Sequence, residues 1–150
     1  MSTKMKMAFG CHLAFGIALA VFGLVYLFRS EFMPYHAQAV GMKWDTVTPP
    51  FRVLILALMR TTGGAWLATA FAIYSLLCVP FRQGERWARW AIPAVGLVVA
   101  LSSLYVTLIV KLNTPASPPW PAAALGALML VIGLLLSLAP DHRVHTRADR

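Results

Sequence analysis

Apolar residues in this chain gather into four long segments, and polar residues return between them. The segments cover Met7–Phe28, Val53–Val79, Trp90–Val110 and Trp120–Ala139. A helix needs roughly 20 consecutive apolar residues to cross the hydrocarbon core of a bilayer. The pattern therefore predicts an all-α, integral membrane four-helix bundle that forms a single transmembrane domain over residues 1–150.

The first apolar segment has to be distinguished from a secretory signal, since Lys4 and Lys6 precede it. A signal core is roughly 7–15 residues long and is followed by a small-residue cleavage site. Met7–Phe28 is longer than that and continues into Arg29. We therefore expect this segment to be retained as the first transmembrane helix.

The polar interval 29–50 contains local signals for a short helix. Pro34 can occupy the first turn, where its missing N–H is not needed, and Gly41 can end the helix. We therefore predict a helix over Pro34–Val40 in the first outer loop, lying in the membrane interface. Three aromatic residues would anchor it at the headgroups: Phe32, Tyr35 and Trp44.

Two prolines bear on the ends of the spanning helices. Pro80 is expected to end the second helix, and Pro93 is expected in the first turn of the third, where a missing donor is tolerated.

Small residues recur at intervals of four or more in every predicted span, a pattern that lets helices approach closely in lipid. These residues are Gly10, Ala14 and Ala18 with Gly16 and Ala20 in the first span, Gly64, Ala68 and Ala72 in the second, Gly96 and Ala100 in the third, and Ala122, Gly126 and Gly133 in the fourth. We expect a compact bundle, in which these residues serve contacts within one chain or between chains.

The distribution of charged residues predicts the orientation of the chain in the membrane. Charged residues make up only 12% of the chain, against about 25% in soluble domains. Eight of the 13 basic residues fall at one end of the four spans: Lys4, Lys6, Arg82, Arg86, Arg89, Arg143, Arg147 and Arg150. The excess of basic residues in cytoplasmic loops then predicts cytoplasmic termini, an outer loop over 29–50 and a cytoplasmic tail over 141–150. The sequence contains no stripe of basic residues interleaved with aromatics, which is the pattern that would indicate nucleic-acid binding. The lipid bilayer is therefore the expected partner.

Arg60 is the strongest candidate for a ligand-binding residue, because a charge inside an apolar segment is costly. Glu31 and Asp45 are the only acids expected on its side, and Thr61 and Thr62 follow it with two hydroxyls. One interpretation is a site for an anionic group or a lipid headgroup beneath the outer loop. The other is an arginine that reaches the interface or forms a structural ion pair.

Metal ligation is a weaker hypothesis. Met33, His36 and Met42 are ligand types that suit copper, but their spacing fits the short interfacial helix equally well. His12 could ligate haem only with a second axial ligand, for which His142 and His145 are candidates, and it could equally be structural. We predict no metal site, no cofactor and no catalytic residue.

Common catalytic motifs are absent from the sequence, including His-Glu-x-x-His, Gly-x-Ser-x-Gly and the P-loop. Ser102 and Ser103 have no base within the spans, so a serine hydrolase is not indicated.

The segment LMRTTGGAWLATAFAIY, in which an arginine is followed by a Gly-Gly step, resembles a pattern in DoxX-like small four-helix membrane proteins of bacteria. The resemblance implies a bacterial inner-membrane protein with an accessory role beside redox enzymes, and it implies no catalytic residue.

Three functions stay open from the sequence. The first is a non-enzymatic structural or accessory membrane component, acting as a homo-oligomer or beside another membrane protein. The second is a binder or carrier of a small amphipathic or anionic ligand, such as a lipid or quinone, near Arg60. The third, with the least support, is a haem or copper redox subunit.

Overall fold

Five α-helices make up the computed structural model, which describes residues 1–139. They are α1 (Thr3–Phe28), α2 (Pro34–Val40), α3 (Pro49–Leu76), α4 (Arg86–Asn113) and α5 (Trp120–Leu138). A 3₁₀ turn over Trp44–Thr46 precedes α3, and a π-helical turn over Leu77–Phe81 follows it. The predicted tail over 141–150, with His142 and His145, lies outside the described residues.

Four of these helices are long and apolar enough to cross a membrane: α1, α3 with its π turn, α4 and α5. The predicted helical class and the four candidate spans are therefore confirmed. The helices are longer than predicted at several ends. For example, α1 begins at Thr3 because the Ser2 hydroxyl accepts a hydrogen bond from the N–H of Met5 (3.4 Å) and caps the helix.

The short helix expected in the first loop forms with the predicted ends. Pro34 occupies the first turn of α2, and Gly41 follows Val40 in the left-handed conformation, with φ of 65°. Glycine adopts this conformation without steric cost, which makes it a common helix stop.

The prediction for Pro93 was wrong, and the second spanning helix ends one residue later than predicted from Pro80. Its backbone continues through the π turn to Phe81. A π turn is wider than an α turn, so it can accommodate the proline ring. Pro93 lies well inside α4 instead of in its first turn, because α4 already starts at Arg86. Its missing N–H removes a helical hydrogen bond to the carbonyl of Arg89.

Glycines allow three pairs of helices to meet closely. A Cβ atom on Gly63 of α3 would lie 2.6 Å from the carbonyl oxygen of Gly23 on α1. A Cβ on Gly133 of α5 would lie 2.5 Å from Cε1 of His12 on α1, and one on Gly96 of α4 would lie 2.8 Å from a methyl group of Leu130. A Cβ at Gly63 would meet backbone and one at Gly133 the imidazole ring, so the α1–α3 and α1–α5 interfaces depend on glycine. At Gly96 the end of the Leu130 side chain would have to shift.

Not all of the predicted small-residue rows form interfaces. Gly96, Gly126 and Gly133 lie at helix contacts, but Gly10 and Gly64 have no atom within 4 Å of a Cβ placed there. In α3 the contact is made by Gly63 instead of its neighbour. Adjacent residues on a helix are turned by about 100° from each other, so only one of the pair can face α1.

The fourth interface, between α3 and α4, is the loosest of the four. The two helices are joined by the π turn and the residues after it, and this end of the bundle is here called the turn end. α1 begins at the same end, since the rings of Phe9 and His12 both contact Phe81. The opposite end, which carries α2 and the α4–α5 connection, is called the loop end.

Candidate functional site

A cavity of about 560 Å³ lies in the loop-end half of the bundle and is partly open to the outside, where the lining residues Ala18, Ser102 and Val106 are exposed. It is lined by all four long helices and by α2. The lining residues are Phe15, Ala18, Leu19, Phe22, Tyr26, Met33, Tyr35, His36, Leu58, Met59, Thr62, Trp66, Val99, Ala100, Ser102, Ser103, Val106, Thr107, Pro119, Ala122, Ala123, Leu125, Gly126 and Met129. Its volume falls in the range of roughly 300–1,000 Å³ that is typical of small-molecule sites.

Small residues and the loose α3–α4 interface account for the space. Ala18, Ala100 and Ala123 face the cavity where larger side chains would fill it. The closely packed interfaces hold α1, α3 and α5 in place, while α3 and α4 make the fewest contacts with each other. We infer that the cavity forms because the close packing of α1, α3 and α5 keeps α3 and α4 apart.

Four hydroxyl groups line the cavity on α3 and α4, those of Thr62, Ser102, Ser103 and Thr107, and three of them donate to a carbonyl of their own helix. Thr62 donates to Leu58 O (2.9 Å). Ser102 donates to Val98 O (2.6 Å), and Thr107 donates to Ser103 O (2.7 Å). A hydroxyl oxygen keeps lone pairs after donating. These groups therefore present hydrogen-bond acceptors to anything inside the cavity.

Two tyrosines connect α2 to the bundle above the cavity. The phenol of Tyr26, near the end of α1, forms a hydrogen bond with the phenol of Tyr35 on α2. The ring of Tyr26 also packs against Trp66 of α3, with centroids 4.8 Å apart. Burial raises the pKa of the Tyr35 phenol above its ordinary value, so this group is neutral at physiological pH.

His36 lies beside this tyrosine pair. Its ring centroid is 4.2 Å from that of Tyr35 and 6.4 Å from that of Tyr26. Its Nδ1 accepts a long hydrogen bond from the N–H of Met33 (3.4 Å), so the proton of the neutral ring is on Nε2. Burial lowers the pKa of His36, which favours the neutral ring. The imidazole can therefore donate a hydrogen bond from Nε2.

Further contacts hold α2 and its flanks over the loop end. The side-chain oxygen of Gln38 accepts a hydrogen bond from the N–H of Ser117 (3.2 Å) in the α4–α5 connection. Before α2, Arg29 donates from Nε to Phe32 O (3.4 Å). The helix is thus attached to the bundle on two sides and covers the cavity.

Arg60 does not line the cavity, and its side chain is exposed. A Cβ on Gly63 would lie 2.7 Å from the backbone N of Leu27, and Gly63 is one helical turn from Arg60. This register places Arg60 level with the end of α1. The first part of α3, Pro49–Met59, therefore extends about 16 Å beyond α1.

Among the described residues, neither acid proposed as a partner of Arg60 forms an ion pair with it. The ion pair that forms within residues 1–139 joins Glu31 to Arg29, at 3.0 Å. At Asp45 the backbone carbonyl accepts a hydrogen bond from Arg52 (2.6 Å). Of the two threonines, Thr61 is exposed and donates to Ala57 O (3.0 Å), whereas Thr62 lines the cavity. The structure thus brings one of the five proposed binding residues into the cavity.

The candidate copper ligands do not all line the cavity. Met33 and His36 do, whereas Met42 does not and is exposed. Within the described part of the chain, no group of three or more His, Cys, Asp or Glu residues is placed to hold a metal ion.

His12 lies in the turn-end half and is fully buried. Its ring is wedged against Gly133 and meets Phe81 edge-on, with centroids 6.1 Å apart. Neither ring nitrogen has a hydrogen-bond partner among the described residues. Nearby, Arg89 donates to Ser137 O (3.1 Å). The contacts of His12 indicate a residue that packs α1 against α5.

Sequence reasoning missed the polar residues on the two sides of the cavity. In the sequence Tyr26 falls within an apolar span, and Ser102 and Ser103 attract notice only as potential nucleophiles. One signal was present: Ser103 and Thr107 are four residues apart and therefore share a helix face. Such a polar pair in a span is a reason to look for an internal site.

No family model matches this sequence, and no curated protein or solved structure is significantly similar to it.

Proposed function

We propose that this protein binds a small, neutral, amphipathic lipid in the loop-end cavity. The observation that carries the proposal is the cavity itself, about 560 Å³ in volume and shared by all four long helices. This is the second of the functions that the sequence left open, with the ligand placed inside the bundle instead of at Arg60.

The chemistry of the lining supports a neutral ligand. Of the described residues around the cavity, none is Asp, Glu, Lys or Arg. An ionised headgroup placed there would lose its hydration without a counter-charge, which is strongly unfavourable. A ligand with an apolar body and a hydroxyl head would instead find apolar walls, the acceptor oxygens of Thr62 and Thr107, and the Nε2 donor of His36.

Arg60 takes a different role in this proposal. It is exposed and level with the end of α1, a position from which its long side chain can reach lipid headgroups outside the bundle. We therefore assign Arg60 to the membrane interface and not to the ligand of the cavity.

The proposal includes a bacterial inner-membrane location, with both termini in the cytoplasm and the loop end facing outward. Support comes from the basic residues at the turn end, including Arg82, Arg86 and Lys6. The exposed tryptophans Trp87 and Trp90 at the same end fit a headgroup belt. The resemblance of Leu58–Tyr74 to DoxX-like proteins supports a bacterial origin.

An accessory role beside another membrane protein is the second candidate. The part of α3 that extends beyond α1 exposes a row of apolar side chains, and a neighbouring protein could cover them. The exposed residues are Phe51, Val53, Leu54 and Leu58. A protein that binds a neutral lipid could present it to such a partner, so the two roles are compatible.

The test is to purify the full chain in a mild detergent and to measure bound lipid by native mass spectrometry. We expect one neutral lipid per chain in the wild type. Ala123→Phe places a ring in the cavity and is expected to reduce the bound fraction about tenfold, equivalent to about 1.4 kcal/mol.

The matched control is Ala94→Phe, since Ala94 is exposed on α4 and does not line the cavity. It should retain lipid as the wild type does. Equal retention by Ala123→Phe and the wild type, or a preference for anionic lipid in the wild type, would contradict the proposal.

A further inference from the structure

A second cavity, also of about 560 Å³, lies between the first part of α3 and the segment from α2 to the 3₁₀ turn. Its lining comes from the loop and from α3: Phe32, His36, Ala39, Val40, Met42, Val47, Thr48, Phe51, Ile55, Leu58 and Met59. It is therefore outside the four-helix interior, on the part of α3 that extends beyond α1.

The two cavities are neighbours. His36, Leu58 and Met59 line both of them, so these three side chains form the partition. Met59 is 4% exposed and closes the middle of the partition, whereas Leu58 is 61% exposed at its edge. A molecule that reaches the edge of this partition could place one part in each cavity.

The second cavity is even more apolar than the first. Among the described residues around it, the polar side chains are Thr48 and His36, and none is Asp, Glu, Lys or Arg. His36 is the polar side chain that the two linings share among the described residues, and its neighbour Tyr35 lines the first cavity.

The walls of the second cavity are held by bonds that do not involve its interior. Arg52 donates to the carbonyl oxygens of Val47 (2.8 Å) and Asp45 (2.6 Å) and lies 5.7 Å from the ring centroid of Trp44. Trp44 in turn packs edge-on against Phe32, with centroids 5.0 Å apart. The cavity is therefore built from tethered segments and does not depend on a ligand to order them.

We infer that the two cavities hold the two hydrocarbon chains of one neutral lipid alcohol, of the diacylglycerol or ceramide class. The head of this lipid lies at the partition, where its hydroxyl and ester or amide oxygens meet His36 and Tyr35. The inference rests on the proposed function and adds the number of chains, the type of headgroup and the place of the head.

Three observations select this class over other lipids. Two adjoining apolar cavities, each of about 560 Å³ and partly open, fit two chains better than one. The lack of formal charge in both linings disfavours phosphate or carboxylate heads. The donor at His36 Nε2 and the phenol of Tyr35 match the oxygens and hydroxyl of a neutral head.

The test compares dioleoylglycerol, monooleoylglycerol and dioleoyl phosphatidic acid added to the delipidated full chain, with binding measured by native mass spectrometry at matched lipid concentrations. We expect dioleoylglycerol to bind as one molecule per chain and about tenfold more tightly than the other two lipids.

Ile55→Trp should fill the second cavity, because Ile55 lines that cavity and not the first. This variant should lose the preference for two chains and should bind monooleoylglycerol as the wild type does. Ala39→Phe reaches the same cavity from α2 and serves if Ile55→Trp does not fold. The matched control is Leu54→Trp, since Leu54 is 52% exposed and lines neither cavity.

The possible failures are distinguishable. If monooleoylglycerol binds as tightly as dioleoylglycerol in the wild type, the second cavity holds no chain and this inference is overturned, while the proposed function stands. The same conclusion follows if Ile55→Trp and Ala39→Phe keep the two-chain preference. If no neutral lipid binds, or if phosphatidic acid binds most tightly, both proposals are wrong.

Discussion

The two halves of the bundle use the same helices but pack in different ways. At the turn end, Phe81, Leu77 and Ile92 are fully buried, and the fully buried His12 fills the space beside Gly133. At the loop end, α1, α3, α4 and α5 surround a cavity of about 560 Å³. The same four helices therefore form a closely packed core at the turn end and surround a cavity at the loop end.

The connections between helices explain the difference. The π turn joins α3 to α4 directly, so their backbones are close at the turn end. At the loop end, α3 is preceded by the α2 segment, and α4 leads through another connection into α5. There α2 lies over the bundle, and its residue Gln38 contacts Ser117 in the α4–α5 connection. The bundle thus combines a rigid base with a space covered by a separate helix.

The largest effect is expected at the α1–α3 interface, on which both halves depend. Gly63→Ala should lower the free energy of unfolding by about 1–3 kcal/mol or more, because the new Cβ would lie 2.6 Å from a backbone oxygen. Thermal unfolding in detergent measures the change. Gly64→Ala is the adjacent control, since its Cβ meets nothing within 4 Å. Equal stability of the two variants would contradict the assignment of the interface.

The solid half can be tested through His12 and Gly133. Gly133→Ala should be destabilising by about 1–3 kcal/mol, because its Cβ would lie 2.5 Å from the imidazole. In a His12→Ala background the same substitution should cost much less, giving a coupling of about 0.5–3 kcal/mol in a double-mutant cycle of unfolding. Additive effects would show that His12 does not pack against Gly133.

The cover of the open half can be tested through the two tyrosines. Tyr35→Phe removes the hydrogen bond to Tyr26 and should weaken the docking of α2 by about 0.5–1.5 kcal/mol. Faster hydrogen exchange of the α2 amides, with unchanged exchange in α1 and α5, is the expected result. Tyr26→Phe should give the same change, and the double variant should add little to either. Unchanged hydrogen exchange in α2 would show that the tyrosine pair does not hold this helix against the bundle.

The smallest effect is a pH dependence that belongs to the loop end alone. Burial lowers the pKa of His36 from its ordinary value of 6.5, so undocked α2 binds the proton more tightly than docked α2. Docking is therefore most favourable above pH 6.5 and weakens as the pH falls below that value toward the lowered pKa.

A spin label at Val40→Cys, with Cys11 and Cys78 replaced by alanine, should become more mobile at low pH. His36→Gln should remove this dependence, because its side chain does not titrate. A pH response that persists in His36→Gln would assign the effect to another group.

Local rules predicted local structure well. The spans follow from the lengths of the apolar segments, and the ends of α2 follow from Pro34 and Gly41. One error was local, since α4 starts at Arg86 and Pro93 therefore lies inside it. The other errors came from properties of more than one helix. The choice between Gly63 and Gly64 depends on how α3 is rotated toward α1, which a row of small residues does not determine. The cavity depends on one interface being looser than three others, and no segment encodes that difference by itself.

The prediction of ion-pair partners from the sequence failed for the same reason. Glu31 was one of two acids considered for Arg60, but it pairs with Arg29, two residues away. Proximity along the chain brings these two groups together cheaply, whereas a pair with Arg60 needs a specific loop path. Position in a span identified Arg60 as unusual, but the register of α3 against α1 determines that it lies level with the end of α1.

The central claim is that the loop end, and not the turn end, takes up a neutral lipid, and two single-tryptophan variants test it directly. One retains Trp66, which lines the cavity, and the other retains Trp90, which is 57% exposed at the turn end. Each is titrated with up to one equivalent of brominated dioleoylglycerol, and quenching of tryptophan fluorescence is measured. We predict strong, saturable quenching of Trp66 and little quenching of Trp90. Equal quenching of both, or stronger quenching of the more exposed Trp90, would contradict the account.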